Sequence, residues 1–194
     1  MKSKYILLFA VYCLLFAVFF WGCGNGPGSP GSEGAEDTGV MIDAIIIPAY
    51  PANVDPEDFT DHNATVIINA RLINPDTTFQ PGNLHIEKYT VEYRRSLDSI
   101  GAPPILSDTR HKNILITPPT GTGVATVEDT VILVDLLRKD RYKEDVLSGQ
   151  YGYGPAYINN YTAIYTFEGQ NDFGTRFKFK TQTDFQIGWF DYCN

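Results

Sequence analysis

Residues Arg176–Trp189 read RFKFKTQTDFQIGW, and this stretch shows the clearest alternation in the 194-residue chain. One set of alternate positions carries Phe177, Phe179, Thr181, Thr183, Phe185, Ile187 and Trp189. The other set carries Arg176, Lys178, Lys180, Gln182, Asp184 and Gln186. A period of two residues is typical of a strand with one buried face. The stretch therefore predicts a long β-strand, and its length predicts a bulge or bend within it.

The rest of the chain between Gly39 and Asn194 is organised in the same way. Six further segments show strand periodicity and are separated by turn-forming residues, namely 40–47, 64–72, 84–95, 113–117, 124–134 and 157–167. Residues 135–148 differ, because Asp135 is a plausible N-cap, good helix formers follow it, and Gly149 can end a helix. We therefore predict an all-β antiparallel sandwich of about seven strands over 39–194, with one short helical insertion near 135–148.

This pattern resembles that of immunoglobulin-like and fibronectin type III-like domains over residues 40–192. Tyr161-Thr162-Ala163 lies where the tyrosine-corner strand of such a domain would be, with Ala163 in the place of the immunoglobulin cysteine. The chain has no Cys–Trp–Cys framework, which excludes an antibody-type domain. A domain of about 150 residues buries roughly 68–70% of its unfolded surface, so it needs no disulfide or metal to fold.

The N-terminus has the features of an export signal. Lys2 and Lys4 precede the seventeen uncharged residues Tyr5–Trp21, as in a secretory signal. Phe20-Trp21-Gly22-Cys23 resembles the lipobox of bacterial lipoproteins, although Phe20 stands where Leu is usual and Trp21 where a small residue is usual. The resemblance implies cleavage between Gly22 and Cys23 and attachment of a diacylglycerol to the Cys23 thiol. An uncleaved anchor helix and plain secretion are the alternatives.

The residues after Cys23 suit a lipid-anchored protein. Residues 24–38 are rich in Gly, Ser and Pro, so we expect residues 23–38 to be a lipidated cysteine and a flexible tether spanning roughly 20 Å. The residue after Cys23 is Gly24 and not the Asp that retains lipoproteins at the inner membrane in enteric bacteria. The resemblance therefore implies an exported, lipid-anchored protein of the cell envelope at the outer membrane.

Composition excludes several classes of function. The formal net charge is −8, which argues against nucleic-acid binding, because phosphates need a basic face. His62, His85 and His111 form no metal-binding motif, and no phosphate-binding glycine motif or nucleophile motif occurs. We therefore expect no cofactor and no enzymatic activity, with a hydrolase built from scattered residues as a minor alternative.

Three features are candidates for binding. Tyr151 and Tyr153 lie in a predicted loop and could contact a partner protein or a sugar ring. The acidic residues Asp55, Glu57, Asp58 and Asp61 could bind Ca²⁺, but their spacing is not that of an EF-hand, and a solvated loop is the simpler interpretation. Cys193 could pair between chains or remain a free thiol.

The sequence as a whole predicts a lipid-anchored β-sandwich lipoprotein that acts as a non-enzymatic structural or protein-interaction module. Its partners would be the membrane, through the N-terminal lipid, and an envelope protein. A carbohydrate-binding or calcium-binding surface domain is the alternative, and the oligomeric state stays open.

Overall fold

The fold is mostly β-structure and is arranged in two sheets. The structure is a computed structural model that describes residues 34, 36–49, 51–54, 60–76, 80–151 and 158–190. The strands are β1 (Val40–Pro48), β2 (Ala52–Asn53), β3 (His62–Leu72), β4 (Leu84–Arg95), β5 (Asp108–Ile116), β6 (Ala125–Val134), β7 (Asn159–Asn171) and β8 (Arg176–Gly188). The helix α1 spans Leu136–Leu147, and Glu36–Thr38 and Leu97–Ser99 form short 3₁₀ helices.

The two sheets enclose one hydrophobic core. One sheet has the strand order β1-β3-β6 and the other β2-β8-β7-β4-β5. Neighbours are antiparallel except β2 and β8, which are parallel. The alternation of β8 points Phe177, Phe179, Phe185 and Ile187 into the core. The prediction of an all-β domain with a short helix after β6 is confirmed.

Several strand predictions were wrong in detail. β5 begins at Asp108 instead of 113, and β7 ends at Asn171 instead of 167. The two-residue β2 was not predicted. Of the bulge or bend expected in β8, the bulge is absent, since the register with β7 is unbroken. The irregularity lies in β4, between Ile86 and Lys88.

The bulge in β4 depends on the glycine across from it. Gly169 of β7 pairs with Ile86, and a Cβ atom at Gly169 would lie 2.0 Å from the carbonyl oxygen of His85. A side chain cannot fit at that distance, because real Cβ contacts are far longer. Glycine therefore lets the two backbones approach where the ladder is irregular.

Tyrosine hydroxyls cover the outer edge of β6. The Tyr165 hydroxyl donates to the carbonyl oxygen of Ile132 (2.9 Å), and Ile132 N–H donates to the Tyr89 hydroxyl (3.0 Å). The Tyr93 hydroxyl donates to the carbonyl oxygen of Leu133 (2.6 Å). An edge strand offers unpaired backbone groups to other chains, and these three bonds from the opposite sheet satisfy several of them.

These tyrosines are held protonated by their surroundings. Burial raises the pKa values of Tyr89, Tyr93 and Tyr165 above the ordinary value of 10.0. The neutral hydroxyl can then act as a hydrogen-bond donor inside the protein. Part of the chain's high tyrosine content is therefore explained by hydrogen bonding between the sheets as well as by packing.

The domain has two distinct ends. At the N-terminal end, a Cβ atom at Gly34 would lie 2.6 Å from the carbonyl oxygen of Arg176, so the incoming chain passes beside the start of β8. Thr38 is buried there, although the sequence placed it in the tether. At the opposite, helical end lie α1 and the connection 96–107. The thirteen residues of β7 separate the ends by about 40 Å.

Candidate functional site

The exposure of α1 is inverted relative to an ordinary surface helix. It buries Lys139 together with Tyr142 and Val146. In contrast, Leu137 and Leu147 are 73% and 67% exposed. Leucine usually occupies the buried stripe of such a helix and lysine the solvated face. The exposed leucines of α1 therefore mark it as a surface suited to contact with another molecule.

Two carboxylates fix the N-terminus of α1. The Asp135 side chain accepts from Arg138 N–H (2.9 Å), as an N-cap does. The Asp61 side chain accepts from Leu136 N–H (2.8 Å). Both satisfy amides that have no partner within the helix, and both place negative charge at the positive end of the helix dipole. The prediction of Asp135 as the N-cap is confirmed.

An ion-pair network ties α1 to β5. Arg110 bonds to Asp108 (2.6 Å) and to Asp135 (2.7 Å), and Arg138 bonds to Asp135 (2.7 Å). Burial acts to lower the pKa of Arg110, but the bond to Asp108 and the two nearby carboxylates raise it overall. Arg138 also donates to the carbonyl oxygens of Leu106 (2.7 Å) and Ser107 (2.6 Å). The network holds the helix against the end of the connection 96–107.

The connection 96–107 is also fixed from β7. Asn160 N–H donates to the Ser99 hydroxyl (2.9 Å), and the Asn160 amide donates to Asp98 (2.7 Å). The buried Tyr161 hydroxyl donates to the carbonyl oxygen of Pro103 (2.5 Å). Side-chain bonds therefore hold this long connection at its beginning and its middle.

Tyr142 joins α1 to the five-stranded sheet. Its hydroxyl accepts from the Asn159 amide (2.6 Å) and donates to the carbonyl oxygen of Ile187 (3.3 Å). Burial raises the pKa of Tyr142 to about 12, despite the opposing effect of the Asn159 bond. Buried hydrogen bonds therefore hold the helix against the five-stranded sheet.

Six exposed apolar side chains lie on α1 and on the connection 96–107. We call it the apolar end patch, and its members are Leu97, Ile100, Leu106, Leu136, Leu137 and Leu147. It holds half of the exposed large hydrophobic side chains of the described residues, and Leu97 is 91% exposed. Concentration at one end of a domain distinguishes an interaction surface from singly scattered surface residues.

The structure places only part of the sequence-predicted sites. Tyr151 is half-buried, four residues beyond the end of α1, and Asp61 caps the other end of the helix. Tyr153, the acidic residues Asp55, Glu57 and Asp58, and also Gly22, Cys23 and Cys193 lie outside the described residues. Asp61 is therefore the one member of the predicted calcium set that lies within the described residues, and the calcium prediction stays a prediction.

The apolar end patch was missed in the sequence, although a signal for it was present. Lys139, Tyr142 and Val146 are spaced by three and four residues, so they share one helix face. With Tyr142 and Val146 on the buried face, Leu137 and Leu147 had to point elsewhere.

In the part of the chain that the structure describes, no group of three or more His, Cys, Asp and Glu residues could hold a metal ion. None of the helices in those described residues has an apolar stretch of the length that a membrane crossing requires.

The fold and the site define an all-β domain of two packed sheets that carries a helix and an apolar patch at one end. No family model and no curated protein matches the chain. A solution structure described as that of a "putative late embryogenesis abundant (LEA) protein" is similar at a TM-score of 0.41 and 10% sequence identity. The match covers 98% of this chain and 88% of the other. At that TM-score the likeness assigns neither a fold family nor a function.

Proposed function

We propose that the protein is a lipid-anchored cell-envelope lipoprotein whose β-sandwich is a protein-interaction module. One observation carries the proposal: the chain enters beside Arg176 at one end, and the apolar end patch lies at the other. A domain anchored through Cys23 would present this patch about 40 Å from the anchored end. The patch would then be available to another envelope protein, and the outer membrane is the proposed location.

The strand order supports an immunoglobulin-like or fibronectin type III-like sandwich as the finer description of the fold. The three-stranded sheet corresponds to strands A, B and E of such domains, and β8, β7, β4 and β5 to G, F, C and C′. Ala163 is buried on β7, where an immunoglobulin domain has a cysteine. The chain departs from the tyrosine corner, because Tyr161 bonds to Pro103 in the β4–β5 connection instead of to a residue shortly before it.

Anchoring is tested by metabolic labelling with palmitate. The parent chain and a Cys13→Ala control are expected to carry the label, since the bulky Tyr12 precedes Cys13. A Cys23→Ala variant is expected to lose it. Label that persists in Cys23→Ala, or that is lost in Cys13→Ala, contradicts the proposal.

The interaction role is tested by cross-linking the full chain in native envelopes. Leu97→Asp and Leu137→Asp place a charge in the apolar end patch without disturbing buried contacts. Phe173→Asp is the matched control, because Phe173 is 66% exposed in the β7–β8 turn at the opposite end. We expect a specific cross-linked protein that disappears only in the two leucine variants. A cross-link pattern that is unchanged in them, or lost equally in Phe173→Asp, contradicts the assignment.

A further inference from the structure

The outer face of the five-stranded sheet has a groove at the N-terminal end. Its volume is about 770 Å³. The groove lies over the paired residues Gly169 of β7 and Phe177 of β8, beside the bulge of β4. Gly34 also lines it, so the groove adjoins the segment through which the chain enters the domain.

The groove has a local charge opposite to that of the chain. Lys88, Arg176 and Lys178 line it, together with His111 and with two carboxylates, Glu87 and Glu168. With His111 neutral, these side chains leave one surplus positive charge, whereas the whole chain carries −8.

Both carboxylates of the groove are already engaged. Glu168 pairs with Lys88 at 3.0 Å, and Glu87 accepts from the Gln170 amide at 2.8 Å. Arg176 forms no ion pair within the described residues. Its guanidinium is therefore available to a ligand at the mouth of the groove.

We propose that this groove binds the phosphate group of a membrane lipid headgroup. A guanidinium can bond to two phosphate oxygens at once, and lysines contribute as point charges. A phosphodiester carries one negative charge, which matches the single positive charge of Arg176, a side chain that forms no ion pair within the described residues. The lipid as source rests on the proposed anchoring: Cys23 is eleven residues before Gly34, and the tether expected from the composition would span about 18 Å. Lipid contact would set the orientation of the domain on the membrane.

The test is a titration of the full chain in non-ionic detergent, followed by the backbone amide signals of Gly169 and Phe177. The probes are short-chain phosphatidylglycerol and inorganic phosphate. We expect saturable shifts with the lipid, and an affinity at least tenfold lower in the double variant Arg176→Gln/Lys178→Gln. Lys180→Gln is the matched control, because Lys180 lies on the same strand but does not line this groove. Its affinity should change less than twofold.

Each other outcome counts against the proposal. Absence of saturable binding, or equal weakening in Lys180→Gln, would show that no defined site exists. Equal binding of inorganic phosphate would remove the lipid headgroup as the specific ligand. Unchanged signals elsewhere in the spectra establish that the variants fold. Palmitate labelling of the parent chain is run beside the titration: saturable binding by a parent chain that takes up no label refutes the anchoring and leaves the groove intact.

Discussion

Replacing Tyr165 by Phe removes one hydroxyl from the interior and leaves the ring in place. The lost bond joins the Tyr165 hydroxyl to the carbonyl oxygen of Ile132 at 2.9 Å, between the two sheets. Phe fills nearly the same volume, so the cost comes from the unmade hydrogen bond and not from a cavity. A buried group left without its partner costs about 1–3 kcal/mol, and we expect about 1–2 kcal/mol here. In a domain of this size that lowers the unfolding temperature by roughly 2–8 °C.

The assay is urea unfolding of the full chain, followed by the circular dichroism of the sheets. Tyr151→Phe is the control, because Tyr151 is half-buried and makes no hydroxyl bond within the described residues. Its free energy of unfolding should change by less than about 0.5 kcal/mol. Tyr89→Phe should couple to Tyr165→Phe in a double-mutant cycle, since both hydroxyls bond to Ile132. Equal stability of the Tyr165→Phe and Tyr151→Phe variants would refute the role of the edge contacts.

Three further predictions concern pH and backbone geometry. Burial raises the pKa of Tyr142 to about 12 and those of Tyr161 and Tyr165 further. The free energy of unfolding should therefore be constant up to about pH 10 and fall above it by roughly 1.4 kcal/mol per pH unit for each such tyrosine. Urea midpoints that do not change from about pH 9 to 11 would contradict this. Gly169→Ala should lower the free energy of unfolding by about 3 kcal/mol or more, because the new Cβ atom would clash with the carbonyl oxygen of His85. Gly123→Ala is the control in the same assay and should lower it by about 0.5 kcal/mol or less, because Gly123 lies in an exposed turn. A hydrogen bond from His85 and, to a smaller extent, one from Asn83 lower the pKa of Asp172. The carboxylate should therefore stabilise the β7–β8 turn fully above about pH 4, and this contribution should be lost as the pH falls through the pKa in the folded state. Asp172→Asn should abolish this acid dependence of the Gly174 amide signal, and an unchanged titration of that signal would rule the contact out.

Alternation predicted strands wherever apolar side chains line the inner face. It failed for the first half of β5, because Asp108, Arg110 and Lys112 are its partly buried positions. Lys112 bonds to Asp129 at 2.9 Å, and Arg110 bonds to Asp135. Polar residues become suited to such positions only through partners far along the chain, and one sequence does not reveal those pairings.

The candidate site was predictable to a smaller extent. Asp135 as the helix cap and the helix itself followed from local rules. The exposure of α1 did not follow from them, because the spacing of Lys139, Tyr142 and Val146 shows that they share a helix face but not that the sheets cover this face. The groove was also missed, although the bulge of β4 leaves a mark in the sequence: the step from Ile86 to the next inward residue, Tyr89, is three residues instead of two.

The tyrosine contacts on β6 have a consequence for how the domain assembles. Three backbone groups of Ile132 and Leu133 bond to tyrosine hydroxyls of the opposite sheet. The three-stranded sheet therefore makes these hydrogen bonds only after it has packed on the five-stranded sheet. If it folded separately, the edge of β6 would expose unpaired backbone groups to other chains. Unfolding should be a single all-or-none transition in which the slowest-exchanging amides of both sheets open together.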